Sequence, residues 1–219
     1  MSMEFELLKS CLPTHPARIL VCGPTMCGKT TFCRNLLLHP QAPYEALYIC
    51  AYRLDQPAYC EIVNSFKARG LPVHMHNSIP KEPIKFDPTK KNCLIVDDLI
   101  EEAEKSRYMG HLLRDGSHHD NCTLILVSHW CCGSGDARRQ RLQMDYYVLF
   151  RFSADKKAVH GLGCQITPKA VDRFMEVYHD ATSKQFRPLI VDLSNAHYID
   201  PRLRFRCEWK TIYPNVENL

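Results

Sequence analysis

Short apolar segments alternate with longer amphipathic or polar segments along most of the chain. The short segments are apolar at successive positions, so the strands that they predict are buried on both faces. Because predicted helices separate them, the pattern is typical of an α/β fold in which helices cover both faces of a mainly parallel central sheet. The predicted strands are 18–22, 46–50, 93–97, 123–127 and 146–152.

Local signals mark the ends of the first three predicted helices. Pro40 follows the first helix, Gly70 closes the second, and Gly116 is expected to stop the third. The segment 79–87 contains prolines and predicts a loop. The helices predicted in this part of the chain are 29–38, 56–69 and 106–114.

The last third of the chain predicts one more helix and two more strands. Thr167 is a suitable cap residue, and Pro168 suits a first helical position, so a helix is expected from 167 to about 182. The strands 189–193 and 203–209 are expected to extend the same sheet. The predicted organisation is a single domain, 1–219, with a core of about 17–152 and a C-terminal sheet extension of about 153–212.

Composition excludes several classes of protein. Of the 219 residues, 45% are hydrophobic and 24% charged, which is ordinary for a globular protein and excludes disorder or a coiled coil for the whole chain. The longest apolar segments are too short to cross a bilayer, so no membrane segment is expected. Glu4 lies where a signal peptide would carry basic and then apolar residues, so an intracellular protein is expected.

Net charge and cysteine content are less decisive. The net charge of +4 permits a polyanionic partner without requiring one. The 12 cysteines include no Cys-x-x-Cys pair and are interpreted as free thiols in a reducing compartment. A zinc site built from scattered Cys and His side chains is a less favoured alternative.

A phosphate-binding loop gives the strongest signal in the sequence, because it lies between a predicted buried strand and a predicted helix. Its glycines allow a tight turn that points backbone N–H groups at a phosphate. Lys29 is positioned to reach the β- and γ-phosphates of ATP, and the Thr30 hydroxyl to bind Mg²⁺. Thr31 either assists at the α-phosphate or is an ordinary helix residue. The loop comprises Gly23, Pro24, Thr25, Met26, Cys27, Gly28, Lys29 and Thr30.

Two adjacent acids lie at the end of the predicted strand 93–97: Asp97 is its last residue and Asp98 follows it. Asp97 is the candidate for the magnesium shell, through water, and Asp98 is the candidate for orienting and polarising the attacking water. The alternative is that the two acids only cap the end of a strand. The strand 123–127 is followed by Ser128 and His129, either of which could sense the γ-phosphate, unless the histidine is purely structural.

A basic cluster precedes the strand at 146. An arginine of this cluster could reach the nucleotide of a neighbouring subunit and stabilise charge in the transition state. The alternative is a solvated basic loop. The candidates are Arg138, Arg139 and Arg141.

Taken in order, these motifs resemble the viral genome-packaging ATPases of the FtsK/HerA superfamily, as in polinton-like elements, poxviruses and other double-stranded DNA viruses. The resemblance covers about 18–209, and its more specific parts are the Gly-Ser-His-His turn and the tail. The matching segments are 23–31, 94–98, 116–119, 123–129, 146–150, 174–182, 189–193 and 201–206.

The resemblance implies ATP hydrolysis that drives double-stranded DNA through a ring of identical subunits into a preformed capsid, with a capsid or portal protein as a partner. It implies an intracellular location in a host cell, in the nucleus or a cytoplasmic virus factory, and possible association with virions. It also implies that the fourth predicted strand lies between the P-loop strand and the Asp97 strand, as in ASCE-type P-loop NTPases.

The resemblance also assigns roles to single residues. His129 stands where the family usually has glutamine, and Asp98 stands where related ATPases often have glutamate. Arg138 aligns best with the family's arginine before the fifth strand, and Arg139 and Arg141 are alternatives.

Basic residues near the C-terminus are candidates for contact with the DNA backbone. The segment 202–210 alternates charged and apolar residues, and all but one of the charged residues are basic, which suits either a DNA-facing strand or a charged sheet edge that prevents aggregation. Lys156 and Lys157 form a similar candidate. The basic face of the segment comprises Arg202, Arg204, Arg206 and Lys210.

Two other functions fit the same motifs. A small-molecule or nucleoside kinase would use the arginines near 138 as a phosphate lid and would not need DNA. A nucleotide-dependent scaffold would assemble on ATP and barely hydrolyse it. A guanine-specific switch is disfavoured because the sequence has no Asn-Lys-x-Asp motif.

Overall fold

The computed structural model describes residues 12–131, 143–194, 204–207 and 211–213. Within these ranges the strands form one nine-stranded sheet in the order β3-β2-β4-β5-β1-β6-β7-β8-β9. The strands are β1 (Arg18–Cys22), β2 (Ala46–Ala51), β3 (Val73–His76), β4 (Asn92–Asp97), β5 (Cys122–Ser128), β6 (Tyr146–Leu149), β7 (Leu189–Asp192), β8 (Phe205–Cys207) and β9 (Thr211–Ile212).

The strands from β3 to β6 in the sheet order are parallel, and those from β7 to β9 are antiparallel. Strand β5 lies between β1 and β4, which confirms the expected position of the fourth predicted strand. The register places Cys22 beside Ser128, and Asp97 beside Val127. The carboxyl ends of β1, β4 and β5 therefore meet at one edge of the sheet, where the predicted functional residues lie.

Helices cover both faces of the sheet, as the sequence predicts. Side chains of α1 and α2, including Phe32 and Phe66, pack on one face, against Ile19 and Ile95. Side chains of α3, α4, α6 and α7 pack on the other face. The helices are α1 (Lys29–Leu37), α2 (Pro57–Ala68), α3 (Ile100–Lys105), α4 (Arg107–His111), α5 (Ser117–His119), α6 (Lys156–Ile166) and α7 (Val171–Ala181), with a π-helical segment, Leu112–Gly116, between α4 and α5.

The helix predicted at 106–114 starts as expected, with Ser106 as its cap residue, but it ends later. Helical backbone continues through Gly116, which has φ −62°, and the chain leaves it after Asp120, whose N–H donates to the Gly116 carbonyl. The expected stop at Gly116 is therefore wrong. The turn is made instead by Asn121, whose φ is +46°, a conformation that asparagine tolerates better than most residues.

The predicted start of the last helix is also wrong. Thr167 ends α6, and its hydroxyl donates to the Gly163 carbonyl at 3.1 Å. The next helix, α7, begins at Val171. Its buried residues, which include Phe174 and Val177, belong to the core on the face of the sheet that α6 also covers.

The C-terminal strands extend the sheet, as expected, but Arg206 does not face solvent. Its side chain is fully buried and pairs with Asp192 at 3.0 Å. Both neighbours of Arg206 in β8, Phe205 and Cys207, are also buried. Arg206 is therefore not available for contact with DNA, contrary to one of the two interpretations of the alternating pattern. Arg202 and Lys210 lie outside the described residues.

The described ranges contain no bilayer-spanning helix and no disulfide. None of the helices there is both long and apolar enough to cross a membrane. All ten cysteines in those ranges are free thiols.

The packing of α6 on α7 predicts opposite effects for two glycines of one helix. A Cβ at Gly163 would lie 2.6 Å from Cδ1 of Phe174, whereas a Cβ at Gly161 has no atom within 4 Å. Gly163→Ala should therefore lower the free energy of unfolding by about 1–3 kcal/mol through overpacking. Gly161→Ala should raise it by up to about 1 kcal/mol because alanine favours helix.

Urea unfolding of the two variants beside the unchanged protein measures this difference. Equal effects of the two substitutions would contradict the close contact between α6 and α7.

Candidate nucleotide-binding site

Two glycines shape the turn that follows β1. A Cβ at Gly23 would lie 2.6 Å from both Sγ of Cys27 and Cβ of Phe150, so a larger residue does not fit. Gly28 has φ +103°, a left-handed conformation that glycine adopts without strain, and it immediately precedes α1. The first turn of α1 then closes with Phe32 N–H donating to the Gly28 carbonyl at 2.8 Å. The turn thus leads directly into a helix N-terminus, which favours anions.

Lys29 holds its ammonium group inside this turn. The residue is buried, and its Nζ donates to the carbonyl oxygens of Gly23 at 2.8 Å and Pro24 at 2.9 Å. Nδ1 of His129 lies 3.5 Å from the same Nζ. A phosphate in the loop would offer Lys29 a charged acceptor in place of neutral carbonyls.

The remaining loop residues have different degrees of exposure. Pro24, Thr25 and Met26 are exposed, and Thr31 is exposed in the first turn of α1. Burial raises the pKa of the Cys27 thiol, and Lys29 opposes this shift only in part. Cys27 is therefore a neutral thiol at neutral pH, which agrees with a small filler residue and not with a reactive one.

Asp97 ends β4 as a nearly fully buried carboxylate. The hydroxyl of Tyr59, itself fully buried in α2, donates to Oδ2 of Asp97 at 2.5 Å. Burial raises the pKa of Asp97, whereas the Tyr59 hydrogen bond and the positive charge of Lys29 lower it. Tyr59 thus stabilises the ionised carboxylate and fixes its orientation.

Thr30 and Asp97 offer oxygen ligands of the kind that Mg²⁺ prefers. The Thr30 hydroxyl donates to Oε1 of Gln56 at 3.3 Å, so the start of α2 supports this side chain too. No group of three His, Cys, Asp or Glu side chains in the described ranges could hold a metal ion by itself. This donor set fits a magnesium ion held jointly by the chain, water and phosphate oxygens, a mode that Mg²⁺ commonly adopts.

Asp98 and His129 form a direct pair beyond Asp97. Oδ1 of Asp98 lies 2.8 Å from Nε2 of His129, and both side chains are partly exposed. Because the Lys29 ammonium can only donate, Nδ1 of His129 must accept in their contact and Nε2 carries the proton towards Asp98. Asp98 has φ +57°, a strained backbone conformation of the kind that is concentrated at functional sites.

The structure separates the two sensor candidates at the end of β5. The Ser128 side chain is buried, and its Oγ accepts from the Trp130 N–H at 3.0 Å. His129 instead joins Asp98 to Lys29. A cleft of about 460 Å³ lies against Asp98 and His129 and gives solvent access to the pair.

Arg138, Arg139 and Arg141 lie outside the described residues, so their roles stay predictions.

Sequence reasoning missed two residues of this site. Tyr59 and Gln56 lie near the start of α2, far along the chain from both Asp97 and the P-loop. No local motif marks them. The buried aromatic hydroxyl of Tyr59 becomes significant only when the fold places it against a carboxylate.

Together, the sheet order, the P-loop and the acids at the end of β4 define a P-loop NTPase fold of the predicted α/β class. The chain is similar to the genome packaging NTPase B204 of Sulfolobus turreted icosahedral virus 2. Against its sulfate complex the TM-score is 0.57 at 13% identity, over 90% of this chain and 97% of that one. Against its complex with ATP-gammaS the TM-score is 0.52 at 13% identity, over 88% and 96%.

A second similar structure is that of the flagellar accessory protein FlaH of Methanocaldococcus jannaschii, with a TM-score of 0.51 at 13% identity over 95% of this chain and 97% of that one. No protein-family model matches the sequence, and neither does any curated protein. At 13% sequence identity these similarities show a shared fold. The resemblance to viral packaging ATPases is confirmed at that level.

The contact between Tyr59 and Asp97 predicts a measurable contribution to stability. Tyr59→Phe removes the hydroxyl and leaves the buried carboxylate without this donor, so the free energy of unfolding at pH 7 should fall by about 2 kcal/mol. The bond favours ionised Asp97, so the deficit should be largest above the pKa of Asp97 and shrink as pH falls through it. Urea unfolding at several pH values measures both effects.

The same substitution in an Asp97→Asn background provides the control. A neutral amide makes a weaker hydrogen bond than a carboxylate, so the cost of losing the hydroxyl should fall by about half. An undiminished cost in that background would show that the Tyr59 hydroxyl does not act through the charge of Asp97.

Proposed function

We propose that this protein is a Mg²⁺-dependent ATPase that moves double-stranded DNA and packages a viral genome into a capsid. The observation that carries the proposal is the chain of contacts from Lys29 through His129 to Asp98, placed beside the P-loop at the carboxyl edge of the sheet. The likeness of the fold to a genome packaging NTPase, over nearly the whole length of both chains, supports the packaging role.

Nucleotide binding follows from the loop. Its N–H groups and the α1 N-terminus bind the β- and γ-phosphates, and Lys29 exchanges the Gly23 and Pro24 carbonyls for phosphate oxygens. Thr30 and Asp97 would hold Mg²⁺, with Tyr59 fixing the carboxylate. The metal, when bound, neutralises charge on the phosphate oxygens.

Hydrolysis is assigned to the Asp98–His129 pair. Asp98 accepts a hydrogen bond from the attacking water and orients it towards the γ-phosphate. His129 holds Asp98 by its Nε2–H and touches Lys29 by Nδ1, so a change at the γ-phosphate reaches the carboxylate through two contacts. This makes His129 the sensor in place of the glutamine usual in the family.

Movement of DNA requires an assembly. We place the subunits in a homo-oligomeric ring in which Arg138, or Arg139 or Arg141, of one subunit completes the site of the next. The ring would dock on a capsid or portal inside the host cell. The DNA backbone would be held by cations without reading the bases.

One described pair of lysines supports a contact with a polyanion. Lys156 and Lys157 are exposed and form the first turn of α6. The Asp155 carboxylate caps this helix and accepts from the Ala158 N–H at 3.0 Å, so the positive charge at this place comes from the two lysines. Two adjacent exposed cations favour contact with phosphate groups.

Titration of double-stranded DNA into an ATPase assay tests the proposal. ATP turnover should rise about tenfold or more with DNA, and Asp98→Asn should lower turnover by about 100-fold or more with and without DNA. Replacement of Lys156 and Lys157 by alanine should reduce the DNA effect and its salt dependence.

The matched control replaces another exposed lysine pair, Lys90 and Lys91, and should leave the DNA effect unchanged. If DNA does not change ATP turnover at any salt concentration, the proposal that the protein is a DNA-translocating motor is contradicted. Phosphate transfer to a nucleoside would favour a kinase, and ATP-dependent assembly without turnover would favour a scaffold.

A further inference from the structure

A second cleft, of about 390 Å³, borders the P-loop on its other side. It is lined by Met26 and Cys27 of the loop, by the chain that follows β6, and by the segment 182–187 between α7 and β7. Strands β5 and β6 flank β1 on opposite sides, so this cleft and the Asp98–His129 pair lie on opposite sides of the loop. A molecule with its phosphates in the loop can therefore place its other end here.

Two large apolar side chains that line this cleft are exposed to solvent. Met26 is 88% exposed and Phe186 is 59% exposed. A Cβ on Gly28 would lie 3.3 Å from Cδ1 of Phe186, so the phenyl ring lies against the loop just before α1 begins. Open apolar surface beside a polar phosphate site indicates a ligand that is charged at one end and apolar at the other.

The same two residues have strained backbones. Met26 has φ +60° and Phe186 has φ +65°, and they are two of the four non-glycine residues with positive φ in the described ranges. Neither side chain is buried in the core, so packing of the side chain does not account for the strain. Strain of this kind is concentrated at ligand sites, where it holds a side chain in position.

The wall behind the cleft is rigidly held. The Tyr178 hydroxyl donates to the Phe150 carbonyl at 3.0 Å and accepts from the Phe152 N–H at 2.7 Å. The Thr182 hydroxyl donates to the Tyr178 carbonyl at 2.7 Å. One buried tyrosine thus ties the end of β6 to the start of the 182–187 segment and fixes two walls of the cleft relative to each other.

The rim of the cleft carries positive charge. Arg151 and Lys184 are exposed lining residues. Cations at the mouth favour the approach of an anionic nucleotide, and the exposed apolar side chains suit a flat ring. Aromatic side chains bind nucleobases by stacking, which is largely independent of base identity.

We propose that this cleft holds the base and ribose of the nucleoside triphosphate whose phosphates lie in the P-loop, with Phe186 against the face of the base and Met26 at its edge. The inference rests on the proposed function, since it takes nucleotide binding by the loop as given. In this arrangement Phe186 contributes to the affinity for the nucleoside part of the ligand and does not contribute to the affinity for its phosphates.

Calorimetric titration of ATP and of inorganic tripolyphosphate, each with Mg²⁺, into the full chain tests the assignment. Phe186→Ala should weaken ATP binding about tenfold, because base–aromatic stacking is lost, and leave tripolyphosphate binding within about twofold. Phe186→Tyr keeps the ring and should retain most of the affinity for ATP. Tyr52→Ala, at another exposed aromatic residue, is the control and should change neither.

Equal weakening of both ligands by Phe186→Ala would show that the ring only shapes the loop, and unchanged ATP affinity would show that it does not touch the base. Either result overturns the assignment. If Phe186→Ala does not fold, Met26→Ala should show the same selective loss for ATP, about threefold, and a loss shared equally by both ligands overturns the assignment. If the unchanged protein binds neither ligand, the proposed function fails and the base site fails with it.

Discussion

The positive charge of Lys29 sits in a buried position between two carbonyl oxygens and an imidazole. An ammonium group removed from water needs strong acceptors, and two neutral carbonyls compensate it less well than an anion would. The turn that creates this position depends on Gly23 and Gly28, one for space and the other for its left-handed backbone. The loop therefore presents a concentrated, preformed positive site that favours phosphate.

The sheet order determines what surrounds that charge. Because β5 is inserted between β1 and β4, the imidazole of His129 lies between the P-loop and the acids at 97 and 98. Asp97 faces inward and is held by Tyr59, whereas Asp98 turns outward through its left-handed backbone. Two adjacent carboxylates thus receive different environments, which suits one to a metal and the other to water.

Much of the fold was predictable because its central strands are buried on both faces, and the P-loop because its residues are consecutive. Strand β3 was missed because it is a short edge strand with exposed residues, and so it lacks a continuous apolar pattern. Helix α6 was missed because Gly161 and Gly163 weaken its helical signal. Tyr59 and Phe186 depend on contacts between distant parts of the chain, which local patterns do not encode.

The most direct test of the account is the affinity of Mg²⁺-ATP for Lys29→Ala, measured by calorimetry beside Lys67→Ala as an exposed lysine outside the site. The account predicts a loss of about 100-fold for Lys29→Ala, from the loss of charge-assisted bonds to phosphate, and no change for Lys67→Ala. Equal affinity in the two variants, with both folded, would contradict the claim that the loop binds a triphosphate through this buried charge.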